Sequence, residues 1–239
     1  MKVICYFSGG TIEKYRSDYE DYVAVEGLVR NKYSKWPNEW WLDYRVPGIK
    51  PLIEKRMKLA IDHKCDAIDI DNLDGHLDKE NKKTWDDPLT EEDALTFTKW
   101  LADLAHSYGL SVGLKNCLTI INAVEDYYDF AINESCIRYN ECYYYKDFLA
   151  KGKPVLGITY DSVEENTEAF CRNLDGLPIT LIIKESNELS QKYTTFDGKK
   201  YCGEDFDRGN FTFFFSFFIL IILLKLHFIY LLMDDFNLV

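Results

Sequence analysis

Four aspartates crowd one short apolar segment of the chain. The segment reads C-D-A-I-D-I-D-N-L-D-G-H, and its aspartates are Asp66, Asp69, Asp71 and Asp74. Carboxylates that close to one another repel and resist transfer out of water. Their crowding in a segment that otherwise looks like a buried strand indicates a role in binding or catalysis. Paired carboxylates are groups that general acid and base reactions use.

The alternation of this segment divides its side chains between two faces. Ile68 and Ile70 share one face, whereas Ala67, Asp69 and Asp71 share the other. Asp69 and Asp71 come near the carboxyl end of the predicted strand, which is where (β/α) barrels build active sites. We therefore predict that these two carboxylates line the mouth of a barrel.

Other predicted strands also end in polar residues that share a face. The pairs are Tyr6 with Ser8, Asp43 with Arg45, and Gly113 with Lys115. A structural alternative is an internal ion-pair network of Arg45 and Lys115 with Asp43, Asp69 and Asp71. Both interpretations can hold, because a neighbouring cation keeps an aspartate ionised.

A second carboxylate is needed for acid/base chemistry, and Glu134 in F-A-I-N-E-S-C is the best candidate. Strict alternation places Glu134 on the outward face with Ile132, so a bulge or the strand end must turn it inward. Two carboxylates at adjoining strand ends, without a metal or a Ser-His-Asp grouping, favour glycoside hydrolysis.

The elements that must position these residues alternate between strand and helix. Strands are predicted to begin near Val3, Trp41, Ala67, Ser111, Phe130, Pro154 and Ile179, with helices over 49–63, 90–108, 147–150 and 162–174. Thr90 and Asp93 form a variant of the capping box, and Gly109 is a usual C-terminal stop. The pattern predicts an α/β fold, a (β/α)8 TIM-type barrel with seven readable strands and no opening strand.

Composition narrows the function classes. The net charge of −12 argues against nucleic acid and favours neutral or cationic ligands, although an acidic surface can also serve solubility alone. Aromatic residues make up 15% of the chain, which suits sugar stacking as well as core packing. With four histidines and no C-x-x-C or H-E-x-x-H spacing, we predict neither metal nor cofactor.

The seven cysteines allow two interpretations. One is a secreted protein with two disulfides among Cys136, Cys142, Cys171 and Cys202, and with three buried thiols, Cys5, Cys65 and Cys117. The other is a cytosolic protein with seven reduced thiols. The start of the chain shows no signal peptide pattern.

The chain changes character after Asn210. We predict a barrel domain over 1–205 and a hydrophobic tail over 206–239. Within the tail, 211–233 is long enough to span a bilayer but is interrupted by Lys225 and His227. A membrane anchor, a buried last helix and a segment foreign to the domain all remain open, and the last is slightly favoured.

Together, the ordered motifs resemble glycoside hydrolase family 114, the endo-α-1,4-polygalactosaminidases, over about residues 3–203. The motifs are C-Y-F-S-G-G-T-I-E, W-L-D-Y-R, C-D-A-I-D-I-D-N-L-D-G, L-A-D-L-A-H-S-Y-G-L, S-V-G-L-K-N and F-A-I-N-E-S-C-I-R-Y-N-E-C. The resemblance implies an extracellular or cell-surface barrel enzyme that cleaves internal linkages of a cationic galactosamine polymer with retention.

The resemblance also implies residue roles. Asp71 matches the nucleophile and Glu134 matches the general acid/base, while Cys136 and Cys142 match a short disulfide loop. Positions expected to line the cleft and bind substrate are Asp69, Asn72, Asp74, Asp43, Arg45, Lys115 and Tyr6. Asp69 and Asp74 are expected to hold ammonium groups of the sugar.

The chain departs from the family pattern in three places. The family's Trp- and Asp-rich opening strand has no counterpart, Thr159 stands where the family carries a carboxylate, and the tail after Cys202 is unmatched. These departures favour two alternatives, a non-catalytic carbohydrate-binding barrel and a surface protein anchored through 211–233.

Overall fold

A computed structural model describes residues 2–185 and 192–209 and the backbone of Leu231–Leu232. In chain order the elements are β1 (Ile4–Ser8), β2 (Thr11–Glu13), α1 (Tyr19–Val23), β3 (Val29–Lys32), β4 (Glu39–Leu42), α2 (Ile49–Asp62), β5 (Ala67–Asp71), α3 (Lys79–Thr84), α4 (Glu91–Ser107), β6 (Ser111–Lys115), α5 (Ile121–Val124), β7 (Phe130–Glu134), α6 (Cys136–Tyr139), α7 (Lys146–Ala150), β8 (Val155–Thr159), α8 (Val163–Leu174), β9 (Thr180–Ile183), β10 (Thr194–Thr195), α9 (Gly198–Cys202) and β11 (Leu231–Leu232). Short 3-10 helices cover Gly75–Leu77, Glu125–Tyr127 and Cys142–Tyr145.

The chain divides into two compact units. Among the described residues, the first comprises 2–113, 126–128 and the backbone of 231–232, and the second comprises 114–125, 129–185 and 192–209. Within each unit, parallel strands alternate with helices along the chain. The α/β class predicted from the sequence is therefore confirmed.

The first unit is built on the parallel pair β1 and β5. In this pair Tyr6 lies opposite Asp69 and Ser8 lies opposite Asp71, so the polar ends of both strands finish at the same edge. β11 pairs in parallel with β1 through its backbone. The register brings the aspartates of β5 next to the polar end of β1.

A second, antiparallel sheet in the first unit corrects one prediction. The segment at Trp41 is not a parallel barrel strand, because β4 is the central strand of the antiparallel order β2-β4-β3. A short apolar run looks the same in a parallel and an antiparallel strand, so periodicity could not separate them. In this sheet Trp41 lies opposite Thr11, and Glu39 lies opposite Glu13.

The long helices of the first unit form as their sequence patterns predict. α2 buries the face that carries Ile49, Ile53 and Met57. α4 begins at a capping box in which Thr90 and Asp93 bond each other's backbone N–H groups. It is followed by Gly109 at φ +72, a left-handed conformation that glycine adopts at low cost.

The second unit contains the parallel strands β7, β8 and β9, and β10 runs antiparallel to β9. Its core includes Phe170 of α8 and Phe196, whose ring centroids are 5.2 Å apart. Ser162 caps α8 by accepting from Glu165 N–H. The predicted helices over 147–150 and 162–174 are thus both present, within one residue of the predicted starts.

Three disulfides cross-link the chain. Cys136–Cys142 and Cys171–Cys202 are confirmed, and Cys117 is a buried thiol, as predicted. The prediction that Cys5 and Cys65 are thiols is wrong, since they form a third disulfide with their Cα atoms 5.9 Å apart. Cys5 lies in β1 and Cys65 leads into β5, so the parallel pairing joins residues that are 60 positions apart in sequence.

The possible membrane segment, 211–233, lies outside the described residues apart from the backbone of β11. Within 2–185 and 192–209, no helix combines the length and the apolar character needed to cross a bilayer.

Candidate active site

Asp71 ends β5 with both carboxylate oxygens hydrogen-bonded. The Tyr6 hydroxyl donates to Oδ2 over 3.0 Å, and the backbone N–H of Asn72 donates to Oδ1 over 2.9 Å. Burial and then the charge of Asp71 raise the pKa of Tyr6 well above its ordinary value, so the phenol keeps the proton that it donates. Three predicted site residues, Tyr6, Asp71 and Asn72, are therefore in direct contact.

Asn72 adopts the left-handed conformation, with φ +61. Its side-chain amide lies 3.0 Å from Ser8 Oγ, 3.1 Å from Thr11 Oγ1 and 3.2 Å from Glu39 Oε1. Gly10 permits this arrangement, because a Cβ atom at that position would lie 1.8 Å from the Asn72 carbonyl oxygen. Asn72 is thus fixed at both its backbone and its side chain.

Glu39 is a buried carboxyl group that the sequence analysis missed. Burial raises its pKa from 4.5 to about 7, although the hydrogen bond that it accepts from Thr11 acts to lower the pKa. The charges of Glu13 and Asp71 raise this pKa further, while the charge of Arg16 lowers it. A signal was present in the sequence, since E-W-W-L places an acid at the start of an apolar strand.

Asp69 and Asp74 differ in their surroundings. Asp69 is fully buried in β5, and its charge helps to raise the pKa of Tyr6. Asp74 precedes the 3-10 helix Gly75–Leu77 and is close enough to Tyr33 for its charge to add to the effect of burial in raising the pKa of that phenol. Both aspartates thus add negative charge around the tyrosines of the first unit.

Asp43 and Arg45 form one ion pair of the network that the structural alternative predicted. Arg45 Nε lies 2.9 Å from Asp43 Oδ1, and Arg30 approaches the same carboxylate at 3.5 Å. Arg45 also contacts Asp87 at 2.9 Å and Asp93 of α4 at 3.8 Å. These contacts connect the loop after β4 to the start of α4, so Arg45 has a structural role whether or not it touches substrate.

In the second unit, Lys115 and Glu134 form an ion pair at the ends of β6 and β7. Their charged atoms are 3.6 Å apart, with the side chain of Lys115 only 5% exposed and that of Glu134 39% exposed. The backbone N–H of Glu134 also donates to Asn116 Oδ1 over 3.0 Å. As the last residue of its strand, Glu134 reaches Lys115 despite its unfavourable position in the alternation.

Left-handed residues directly follow the three strands that carry these groups. Asn72 follows β5, Asn116 follows β6 and Ser135 follows β7, with φ values of +61, +51 and +70. Such conformations cost free energy in residues other than glycine and concentrate at functional sites. No sequence pattern predicted this repetition at three strand ends.

The disulfide loop after Glu134 is bonded to β7. Asn133 Oδ1 accepts from the backbone N–H of Cys136 over 2.7 Å, and Asn133 Nδ2 lies 3.2 Å from the buried hydroxyl of Tyr145. The Cys136–Cys142 disulfide closes the segment between these contacts. These hydrogen bonds and the disulfide therefore hold the loop against the end of β7.

A carboxylate stands close to Thr159, the position where the resemblance left one missing. The hydroxyl of Thr159 donates to Asp161 Oδ2 over 3.0 Å, and Arg138 Nε lies 2.9 Å from Asp161 Oδ1. Asp161 was missed because it follows the strand by two residues. It restores a negative charge near the end of β8.

Comparison with protein families decides the affiliation of this chain. The profile of glycoside hydrolase family GH114 matches residues 1–203. The chain belongs to glycoside hydrolase family GH114. Membership confirms the TIM-type α/β fold class and the glycosidase activity that were predicted from the sequence.

Solved structures support the affiliation to GH114. The crystal structure of Aspergillus fumigatus Ega3 in complex with galactosamine is 32% identical, with a TM-score of 0.67 over 77% of this chain and 74% of that one. The glycoside hydrolase domain of PelA from Pseudomonas aeruginosa is 17% identical, with a TM-score of 0.52 over 76% and 77% of the two chains, and shows similarity of fold alone. A search of curated protein sequences gave no significant match.

Proposed function

We propose that this GH114 chain is a retaining endo-glycosidase that cleaves internal α-1,4 linkages of galactosamine-containing polysaccharides. Asp71 is the nucleophile and Glu134 is the general acid/base. The observation that carries the proposal is the Asp71 carboxylate, which is held by Tyr6 and by the N–H of Asn72. The similarity to Ega3, whose structure contains galactosamine, supports the choice of sugar.

The proposed reaction has two steps. Glu134 first donates a proton to the glycosidic oxygen while an Asp71 oxygen attacks the anomeric carbon, so the leaving chain departs as an alcohol and a glycosyl-Asp71 ester forms. Glu134, now a carboxylate, then takes a proton from water as that water attacks the anomeric carbon, and the bond from this carbon to Asp71 breaks, which releases Asp71 as a carboxylate. Retention requires the two carboxyl groups to be about 5–5.5 Å apart in the substrate complex.

The charge of the chain supports a cationic substrate. A deacetylated galactosamine residue carries an ammonium group, and the net charge of −12 attracts such a polymer. We assign Asp74 to hold an ammonium group, whereas Asp69, which was expected to do the same, is fully buried and contributes through its negative charge. We assign secretion on the strength of the three disulfides. The division into a domain over 1–205 and a tail over 206–239 stays a prediction.

The test is release of reducing ends from deacetylated galactosaminogalactan. Asp71→Asn and Glu134→Gln should each abolish it, and the first product detected by NMR should keep the α configuration. Asp66→Asn is a matched control, because Asp66 precedes the same strand and pairs with exposed Lys2. Normal turnover by both active-site variants would remove the assigned roles, and polymer binding without cleavage by the unmodified chain would favour a non-catalytic carbohydrate-binding barrel.

A further inference from the structure

Glu39, buried in β4, belongs to none of the roles assigned above. Its Oε1 atom accepts from the Thr11 hydroxyl and lies 3.2 Å from the side-chain nitrogen of Asn72. The same Asn72 gives its backbone N–H to Asp71 Oδ1. Asn72 thus links the buried carboxyl group of Glu39 to Asp71, the proposed nucleophile.

We propose that Glu39 is a positioning residue whose carboxyl group holds Asn72, which in turn fixes the orientation of the Asp71 carboxylate. The inference rests on the proposed function, since it matters to catalysis only if Asp71 is the nucleophile. It deepens that proposal by assigning a role to an acid outside the reacting pair.

The left-handed conformation of Asn72 explains why an anchor is needed. At φ +61 the backbone pays a conformational cost, and hydrogen bonds from the side chain hold it there. Without the anchor, Asn72 can relax toward an extended conformation and withdraw its N–H from Asp71 Oδ1. A small misplacement of a reacting group lowers a rate by orders of magnitude.

The contacts of Glu13 provide a matched control on the neighbouring strand. Glu13 is the cross-strand partner of Glu39 and is also buried. Its carboxylate bonds Arg16 at 2.8 Å. Substitution at either position disturbs the same small sheet. Of the hydrogen bonds described for these two acids, the one to Asn72 belongs to Glu39.

The experiment measures kcat and KM on deacetylated galactosaminogalactan, alongside hydrogen exchange at the Asn72 amide. Glu39→Ala should lower kcat by about 10- to 100-fold with KM changed less than about threefold, and should speed exchange at least about tenfold. Glu39→Gln keeps an accepting oxygen and should stay within about threefold of the unmodified kcat. Glu13→Gln should leave kcat within about twofold, even where it lowers stability.

A double substitution tests the route through Asn72. If Glu39 acts through Asn72, Glu39→Ala combined with Asn72→Ala should be no slower than Asn72→Ala alone. If Glu39→Ala does not fold, Thr11→Val removes one hydroxyl of the network at nearly constant volume and should lower kcat by about three- to tenfold.

Several outcomes overturn the proposal. These are an unchanged kcat in folded Glu39→Ala, additive losses in the double variant, equal losses in Glu39→Gln and Glu39→Ala, or an equal loss in Glu13→Gln. Failure of the unmodified chain to cleave the polymer would instead overturn the proposed function. The exchange measurement at Asn72 still reports on the anchor in that case, so the two failures are distinguishable.

Discussion

The hydroxyl of Tyr6 in β1 donates a 3.0 Å hydrogen bond to Asp71 Oδ2 in β5. Because the parallel register places Tyr6 opposite Asp69, this bond runs diagonally to the end of the neighbouring strand. It leaves the Asp71 carboxylate clamped between a phenol on one oxygen and a backbone N–H on the other. Substitution of Tyr6 can therefore remove one half of the clamp without changing the backbone.

Tyr6→Phe should slow the enzyme without unfolding it. A hydrogen bond to a charged group is worth about 1.5–3 kcal/mol, so kcat should fall by roughly 10- to 100-fold. Tyr128→Phe is a control, since the buried hydroxyl of Tyr128 donates to the Thr98 carbonyl and should affect stability alone. Steady-state kinetics and thermal melts separate the two effects, and a normal kcat in Tyr6→Phe would contradict a role for the clamp.

Lys115→Met tests the ion pair with Glu134. Burial of an ammonium group costs several kcal/mol, which the pair only offsets, so stability should change by less than about 1 kcal/mol. Glu134 is 39% exposed and stays hydrated after the change, but it loses the cation that orients it. We expect kcat/KM to fall at least about tenfold, which corresponds to a barrier that is higher by about 1.4 kcal/mol.

Urea unfolding and initial rates decide between a catalytic and a structural role for Lys115. A variant that keeps its rate but loses about 3–5 kcal/mol of stability would identify the pair as structural. Lys115→Arg retains the charge and should recover part of the rate.

Local patterns predicted the parts of the fold that depend on neighbouring residues. The alternation in β5 grouped Asp69 with Asp71, and the charges of both act on the Tyr6 phenol, while the Thr90–Asp93 capping box marked the start of α4. In both cases the deciding contacts lie within a few residues along the chain. Such contacts are visible in one-dimensional spacing.

Pairings between distant segments could not be predicted in this way. The Cys5–Cys65 disulfide depends on β1 lying beside β5, and the place of Glu39 in the site depends on β4 pairing antiparallel with β2. Neither register is encoded in the spacing of the residues concerned. The sequence therefore indicated Asp71 but not the anchor of its neighbour Asn72.

The raised pKa of Glu39 predicts a pH dependence of stability. Since the folded pKa of about 7 exceeds the ordinary 4.5, the folded state keeps this proton in a range where the unfolded chain releases it. The stabilising contribution is complete below about pH 4.5 and is lost as the pH rises through about 7. Glu39→Gln should therefore flatten the decline in the free energy of unfolding between these values.

Paired melts of the unmodified chain and Glu39→Gln, taken at several pH values, measure this difference. The two curves of melting temperature against pH should diverge as the pH rises toward 7, with the unmodified chain losing more. Parallel curves would show that Glu39 is ionised already at low pH. Glu13→Gln removes the charge of the acid that faces Glu39. This variant therefore separates the effect of that charge on the pKa of Glu39 from the effect of burial.

Two of the three disulfides differ widely in sequence span and should therefore contribute differently to stability. Cys5–Cys65 joins residues 60 positions apart, whereas Cys136–Cys142 joins residues 6 apart. Loop-closure entropy then predicts losses of about 4 and about 2 kcal/mol when each pair is replaced by alanine. Urea unfolding of both double variants measures the losses, with Cys117→Ala as a control that removes a buried sulfur but no cross-link.

The losses of activity should follow the opposite order, with the larger loss when the Cys136–Cys142 disulfide is removed. The Cys136–Cys142 loop is bonded to Asn133 beside Glu134, so its opening should lower kcat at least about tenfold at temperatures where the protein is still folded. Cys5 lies near the start of β1 and Cys65 lies two residues before β5, at the strand ends away from Asp71. The loss of their disulfide should therefore leave kcat nearly unchanged below the melting temperature. If both double variants lost activity only in proportion to their unfolded fraction, the brace after Glu134 would have no catalytic effect, and the Cys136–Cys142 disulfide would serve stability alone.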